Sequence, residues 1–310
     1  MPGISRTNHL GIAVGLMVTL VSLSTQSLAG VCPYGATLPG VDVSQYDGSI
    51  IWTSVKATGI AFAYAKATEG TTYIDPTFAV NWPGMKAAGI VRGAYSFFHA
   101  NADPIAEADH FLSVMGTLQP GDLPPMLDVE VTDGQSAATI AANVSSWVSH
   151  VHAATGRVPI IYTTPGFWNV SVGSTGFAAN PLWAANWGVT CPTLAEGWTN
   201  WAIWQYSATG TVDGISGAVG AVDLDKFNGS MKDLLAFANQ PSLNIAPKRT
   251  NQVALTWSTF AIGFGLQQNS TLGTTNWTSV TNMPTLVGNQ KQVILGTSTK
   301  QTFFRLFHPP

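Results

Sequence analysis

"PPMLDVEVTD", residues 124–133, sets two acids, Asp128 and Glu130, two positions apart in an otherwise apolar run. Side chains at i and i+2 of a β-strand share a face, so this run reads as a buried strand projecting both carboxyls together. Their Cα atoms would stand roughly 6.6 Å apart, two steps of about 3.3 Å. At an effective dielectric of about 20, repulsion between two anions at that distance is on the order of 3 kcal/mol, or about two pKa units. One of the pair is therefore expected to keep its proton near neutral pH while the other stays ionised. Only 9% of the chain is charged, which makes two acids in a core conspicuous. Glycoside cleavage needs this division, an acid to protonate the leaving oxygen and an anion near the developing positive charge.

Around that strand, short runs rich in Val, Ile, Tyr and Phe alternate with helical patterns, punctuated by Gly, Asn and Pro. Strands are expected at 41–46, 60–68, 90–98, within the quoted stretch, and at 158–164, 181–187, 201–207 and 221–227. Helices are expected at 50–59, 78–89, 104–116, 136–156 and 230–239. Eight strands with about five helices read as an α/β fold, a parallel barrel-like sheet whose later strands have lost their covering helices. In a closed barrel the first and last strands are neighbours. Asp42 of the first and Asp223 of the last should then face the same space as Asp128 and Glu130. Acids collected from three strands into one interior are expensive as pure structure.

Past Pro241 the composition turns to Thr, Asn, Gln and Ser with period-two alternation. "QVALTWS" (252–258) puts Val253, Leu255 and Trp257 on one face, and further strands are expected at 263–268, 276–280, 291–297 and 301–307. The expected organisation is a barrel over 30–240, a linker over 241–250 containing "PSLNIAPK", and a small all-β sandwich over 251–310.

At the N-terminus, Arg6 and His9 precede the apolar run "LGIAVGLMVTLVSL", and small residues follow in "SLAG". Residues 1–29 read as a secretory signal peptide, and the remainder as an exported, secreted protein with no membrane segment. Export would allow Cys32 and Cys191 to form a disulfide, although spacing alone does not show that they meet. A net charge of −3 offers no electrostatic footprint for nucleic acid. His150 and His152 point to different faces of one expected helix and read as surface residues. No metal or other cofactor is expected, and the protein should act as a monomer.

"GVDVSQYDGSIIWTSVKATGIAFAYAKATEG", "GIVRGAYSFF", "MLDVEV", "IWQYS" and "VDLDKFNG" occur in this order between about residues 40 and 239. Together they resemble the glycoside hydrolase family 25 lysozymes, the Chalaropsis-type N-acetylmuramidases. The resemblance implies a flattened (β/α) barrel and cleavage of the β-1,4 bond between N-acetylmuramic acid and N-acetylglucosamine in peptidoglycan glycan strands. It makes Glu130 the general acid/base and Asp128 its assistant, acting on the reacting centre through the substrate's acetamido group. Asp42 becomes the cleft acid of the first strand and Asp223 the acid facing it. Asp225 stands where relatives often carry Asn, and reads as a backbone-binding residue at a strand end. Gln45 and Ser96 replace histidines common in relatives near the barrel mouth. Glu69 of "KATEG" is expected to pair with Lys66.

Tyr95, Tyr162, Trp187 and Trp204 near strand ends are candidates for a sugar platform, against the alternative that they fill the core. Asn186 and Gln205 are candidates for binding an acetamido group. The C-terminal unit resembles short fibronectin-like β modules through "LTW…GF.LQ…NW" and "FFRL", and reads as a wall anchor, a spacer or an export element. Two other readings stay open: a non-catalytic glycan-binding protein on the same barrel, and a hydrolase of a related N-acetylhexosamine polymer.

Overall fold

The apolar strands close into a ring. The computed structural model describes residues 30–217, 221–239, 241–249, 251–297 and 301–308; the expected leader, 1–29, lies outside them. In chain order the barrel runs β1 (Leu38–Val43), α1 (Trp52–Ala57), β2 (Phe62–Glu69), β3 (Tyr73–Ile74), α2 (Phe78–Ala87) and β4 (Val91–Phe97). Then come α3 (Pro104–Met115), β5 (Met126–Asp128), α4 (Ala137–Thr155), β6 (Ile160–Thr163), the short α5 (Pro165–Phe167), β7 (Leu182–Ala185), β8 (Ile203–Gly210), β9 (Val222–Phe227) and α6 (Met231–Phe237). Eight of these strands form the wall in the order β1-β2-β4-β5-β6-β7-β8-β9, with β9 returning to β1; β3 is a short addition to β2.

The wall is parallel except at β9, which runs antiparallel to both β8 and β1. Strand–helix alternation alone points to an all-parallel sheet. A parallel return needs a crossover of a dozen or more residues, usually helical. Only residues 211–221 separate β8 from β9, so the chain turns straight back.

Alternation along each strand separates two cores. Phe62, Tyr64, Tyr95, Met126, Ile160, Trp183, Ile203 and Phe227 fill the interior. Ala63, Ala65 and Ala67 of β2 face outwards, and their small side chains let α2 and α3 lie close against the sheet. Gly93 lacks a side chain because a Cβ there would come 2.1 Å from the Tyr64 ring. Helix ends follow local chemistry. Asp103 accepts from the amides of Ile105 and Ala106 ahead of Pro104, Ser136 caps α4, and Gly156 ends it with φ of 65°.

Where covering helices are missing, between β6 and β8, tryptophans take over. Trp168 packs against Phe177 and Trp198 with ring centroids 5.3 and 4.9 Å away. Each indole N–H has a carbonyl: Trp168 donates to Ser174, Trp198 to Asn180 and Trp201 to Val31. The last contact ties in the chain's start, which Cys32 bonds to Cys191 across a Cα separation of 4.8 Å. Closing a loop with a sequence separation of 159 contributes about 5 kcal/mol in the chain-entropy model.

The C-terminal unit has two antiparallel sheets. One is built of β10 (Asn244–Arg249), β11 (Gln252–Ser258), β15 (Gln290–Gly296) and β14 (Thr285–Val287). The other contains β13 (Thr278–Ser279), β12 (Gly265–Asn269) and β16 (Phe303–Phe307). Leu255, Trp257, Leu266 and Val293 are buried between them. The stretch 241–250, expected as a linker, instead supplies β10. Its period-two signal is weak because it is an outer strand, with Asn244, Ile245 and Pro247–Arg249 exposed. β14, Thr285–Val287, was not expected either, being short and exposed.

This unit sits under the barrel floor, the end where parallel strands begin. Phe260 packs on Phe227 and Phe237 at 4.7 and 5.4 Å between centroids. Asn289 donates to the Asn228 carbonyl, and Gln290 to Asp233. Phe260→Ala should lower stability by about 2 kcal/mol, less than for a fully buried Phe because this ring is half-buried. Urea denaturation checks this, and an unchanged midpoint would mean that the contact does not brace the floor.

Glu107 on α3 is fully buried; its Oε1 accepts from the His99 amide at 3.1 Å and its Oε2 has no partner. Burial pushes its pKa up from 4.5 to about 7. Between those values the native state holds a proton that the unfolded chain has released, so stability falls as pH rises through that window. Glu107→Gln removes this loss. Melting curves at about pH 5 and about pH 7.5 should show the variant losing less than wild type, by on the order of 2 kcal/mol. Equal losses would show that Glu107 is ionised in the fold.

Candidate active site

The open end of the barrel, where the parallel strands finish, collects acids from three strands. Asp42 is half-buried near the end of β1, directly opposite Asp223 in the antiparallel β1–β9 pair. Asp128 ends β5, beside Phe97 of β4 and Tyr162 of β6, and is 8% exposed. Glu130 lies two residues past the strand end and is exposed at the rim. Asp42, Asp128, Glu130 and Asp223 are therefore gathered at the same end of the barrel.

Their electrostatics follow from crowding. Burial, then the charges of Glu130 and Asp42, raise Asp128 well above the usual carboxylate range. Glu130 is also raised, by partial burial of its carboxyl against the pull of Lys66. Burial, with Asp47 and Glu130 nearby, brings Asp223 to about 6. Asp42 is raised well above its ordinary value by burial and then by Asp223. The expectation of one retained proton in the DxE pair thus acquires a direction, since the deeper Asp128 is raised the more strongly.

Gln205 organises this wall. Its Oε1 accepts from the Tyr162 hydroxyl at 2.9 Å and from the Trp187 indole at 3.0 Å, while its Nε2 donates to Asp42 Oδ2 at 2.8 Å. The indole, which can only donate, fixes which way the amide points, and the Tyr162 hydroxyl donates to the same oxygen. At 2% exposure it has no group left for substrate, so the expected acetamido ligand is an anchor for Asp42 instead. Tyr95 and Tyr162 are buried in the interior wall, at 8% and 7% exposure, and Trp187 is open at 49%. Among the expected platform residues, Trp187 presents the exposed aromatic surface.

Three other expectations fail on position. Asn186 spends its side-chain oxygen on the Thr193 amide and hydroxyl, 2.9 and 3.0 Å away, holding the following loop. Trp204 points outwards into the helical layer and donates to the Asn186 carbonyl. Ser96 is buried on the outer face of β4, accepting from Thr68, and does not line the mouth. A one-residue difference in reading a strand's phase exchanges its two faces, which accounts for Trp204 and Ser96. Asp225, expected at a strand end near backbone, is fully buried in the interior and accepts from the Trp183 indole at 3.1 Å.

A second cluster borders the acids. Lys66 pairs with Glu69 at 2.5 Å, as expected. His99 reaches Glu69 through Nε2 and Asp133 through Nδ1, both at 3.2 Å. These hydrogen bonds outweigh partial burial and raise the His99 pKa. Asp133, with φ of +47°, also accepts from the Ala100 amide. Together with Gln45, Tyr46 and Tyr73, Lys66, Glu69 and His99 line a groove of about 440 Å³ beside the catalytic candidates. Sequence reasoning missed His99 and Asp133. Their signal was placement, since each follows the end of a barrel strand, where binding and catalytic groups gather.

Comparison with known proteins agrees with this geometry. Residues 41–215 match the family described as "Glycosyl hydrolases family 25". Lysozyme M1 of Streptomyces globisporus is 45% identical over 211 residues, covering 64% of this chain and 71% of that protein. The N,O-diacetylmuramidase of Chalaropsis sp is 35% identical over 203 residues, 59% of this chain and 96% of that one. The crystal structure of the bacterial lysozyme from Streptomyces coelicolor superposes with a TM-score of 0.63 at 44% identity, over 66% of this chain and 98% of that one. With the acid-lined mouth on a closed eight-stranded barrel, the match over more than half its length makes this chain a member of glycosyl hydrolase family 25.

Proposed function

We propose that the protein is an exported muramidase that cuts the β-1,4 bond between N-acetylmuramic acid and N-acetylglucosamine in peptidoglycan. The observation that carries the catalytic assignment is the pairing of an exposed Glu130 with a buried Asp128 whose Oδ1 has no partner. A buried acceptor without a donor is costly. A sugar's acetamido N–H in the cleft supplies one. Glu130, at the rim, is the group a glycosidic oxygen meets.

Near neutral pH the two carboxyls hold one proton between them, as a pair. In the step we assign, the acetamido N–H donated to Asp128 favours its ionised form and moves that proton to Glu130, which delivers it to the leaving oxygen as the bond to the anomeric carbon breaks. Asp128 accepts the acetamido N–H and aims its carbonyl oxygen at that carbon, forming a cyclic oxazolinium. Glu130, now a carboxylate, takes a proton from water as the water's oxygen attacks the same carbon and reopens the ring. Two inversions give net retention. Asp42 and Asp223 lie across the mouth, where their negative charge, once they are ionised, stabilises the positive charge.

Export is supported by the apolar leader pattern of residues 1–29 and by the Cys32–Cys191 bond, which suits an oxidising compartment. Among the described residues no helix is long and apolar enough to cross a membrane. The C-terminal unit is a candidate anchor to the wall. It lies at the floor, so it does not cover the cleft.

Purified peptidoglycan digested by the protein, then reduced with borohydride, should yield reduced muramic acid. Glu130→Gln should lower the rate by at least about 10²-fold, and Asp128→Asn by a similar factor, without loss of thermal stability. Reduced glucosamine would move the cut to the other bond, and release of neither sugar would remove the hydrolase assignment. NMR of the first-formed anomer tests the acetamido route, which an inverted product would rule out.

A further inference from the structure

Asp225 is the one acid of the interior that the mechanism above leaves unused. It projects from β9 on the same face as Asp223, one layer deeper, opposite Gly40 of β1. Its carboxyl has two neighbours of consequence. Oδ1 accepts from the Trp183 indole at 3.1 Å. Oδ2 is buried and receives no N–H or O–H donor. The other neighbour is the Asp42 carboxyl, diagonal to Asp225 on the same face of the antiparallel β1–β9 pair. Two carboxyls so placed need a proton between them, because two bare anions there would meet oxygen to oxygen in a region without water.

The neighbours decide which acid holds it. Asp42 already accepts from Gln205 Nε2 at 2.8 Å and is partly open to the cleft, so an anion there is hydrogen-bonded and hydrated. Asp225 is 0% exposed, and an anion there would rest on one indole N–H. The groups facing the pair are Asp223 on β9, Asp47 beyond β1, Tyr64 on β2, Tyr95 on β4, Asp128 on β5, Tyr162 on β6, Trp183 on β7 and Gln205 on β8, none of them a cation.

We propose that Asp225 is a standing carboxylic acid whose O–H donates to Asp42, a positioning residue that holds the cleft carboxylate from below while Gln205 holds it from the side. Its proton takes no part in turnover. Two donors leave Asp42 one orientation and oppose the rise that burial and Asp223 impose on it, so this wall of the cleft is already set when substrate enters. That use of the Asp42 anion rests on the hydrolase reading, whereas the location of the proton does not.

Two variants separate this role from packing. Asn at 225 keeps a donor of similar shape and cannot ionise; Leu keeps the volume and donates nothing. On solubilised peptidoglycan chains, Asp225→Asn should keep kcat within about threefold of wild type with a superposable pH profile, because a neutral group replaces a neutral group. Asp225→Leu should lose at least about tenfold in kcat with KM nearly unchanged, since Asp42 is left free to turn. An Asn variant that is folded but inactive, an Asn profile moved to lower pH, or a fully active Leu variant would each overturn the proposal. Infrared difference spectra, wild type minus Asp225→Asn, give a readout independent of activity and of the Leu variant's folding. A protonated-carboxyl C=O band should persist from about pH 4 to about pH 8. A carboxylate band in its place overturns the assignment even if the enzyme proves to cut a different bond.

Discussion

The antiparallel insertion of β9 between β8 and β1 is the constraint on which the site depends. It closes the ring, and its register places Asp223 directly opposite Asp42, with Asp225 one layer below. A parallel ninth element would have needed a long crossover and would have presented the mouth with the other end of its sequence. Because the chain turns back within a short loop, the start of β9 reaches the mouth and its end, Phe227, reaches the floor. One strand therefore carries both an acid-bearing half and an apolar half. The polarity of the whole barrel interior follows the same gradient.

That gradient separates stability from function. At the floor, Phe62, Phe227, Phe237 and Phe260 form an aromatic stack shared by barrel and C-terminal unit. Around the helix-poor side, Trp168, Trp198 and Trp201 and the Cys32–Cys191 bond replace the missing helices. These contacts offset the cost of crowding acids at the other end, where burial and like charge raise nearly every carboxyl. A site assembled from mutually repelling groups persists only where the surrounding scaffold over-determines it.

Local signals made most of the barrel legible. Glycines closing helices and alternation along β2 gave element types and their order, and the i, i+2 rule put Asp128 and Glu130 together without any tertiary information. Barrel closure alone brought Asp42 to Asp223. What stayed hidden depends on strand phase or on long-range partners. The direction of β9 is set by a loop length whose meaning appears only once its neighbours are known. Ser96 and Trp204 differ from mouth-facing residues by a single step of phase. Asn186 and Gln205 have the chemistry of sugar ligands, and only their contacts with Thr193 and Asp42 show that chemistry already spent. β10 was hidden for a different reason, since an exposed outer strand bearing Pro247 reads like a linker.

Counting protons rather than carboxyls resolves the apparent excess of acids. On the proposed assignments, Asp128 and Glu130 share one proton and Asp42 and Asp225 another, so these five acids carry three negative charges once Asp223 is ionised. The two protonated positions are not equivalent. In the proposed mechanism the one in the DxE pair reaches the exposed rim, where Glu130 passes it to a substrate and recovers it from water. The one proposed at Asp225 lies a layer deeper, buried beside Trp183, where the proton acts as a fixed dipole. Depth alone, set by which layer of the barrel a strand position occupies, converts the same functional group from a reagent into a support. Burial that would be an error in a structural core therefore becomes, for Asp225, the condition that lets it hold Asp42 without competing for its charge.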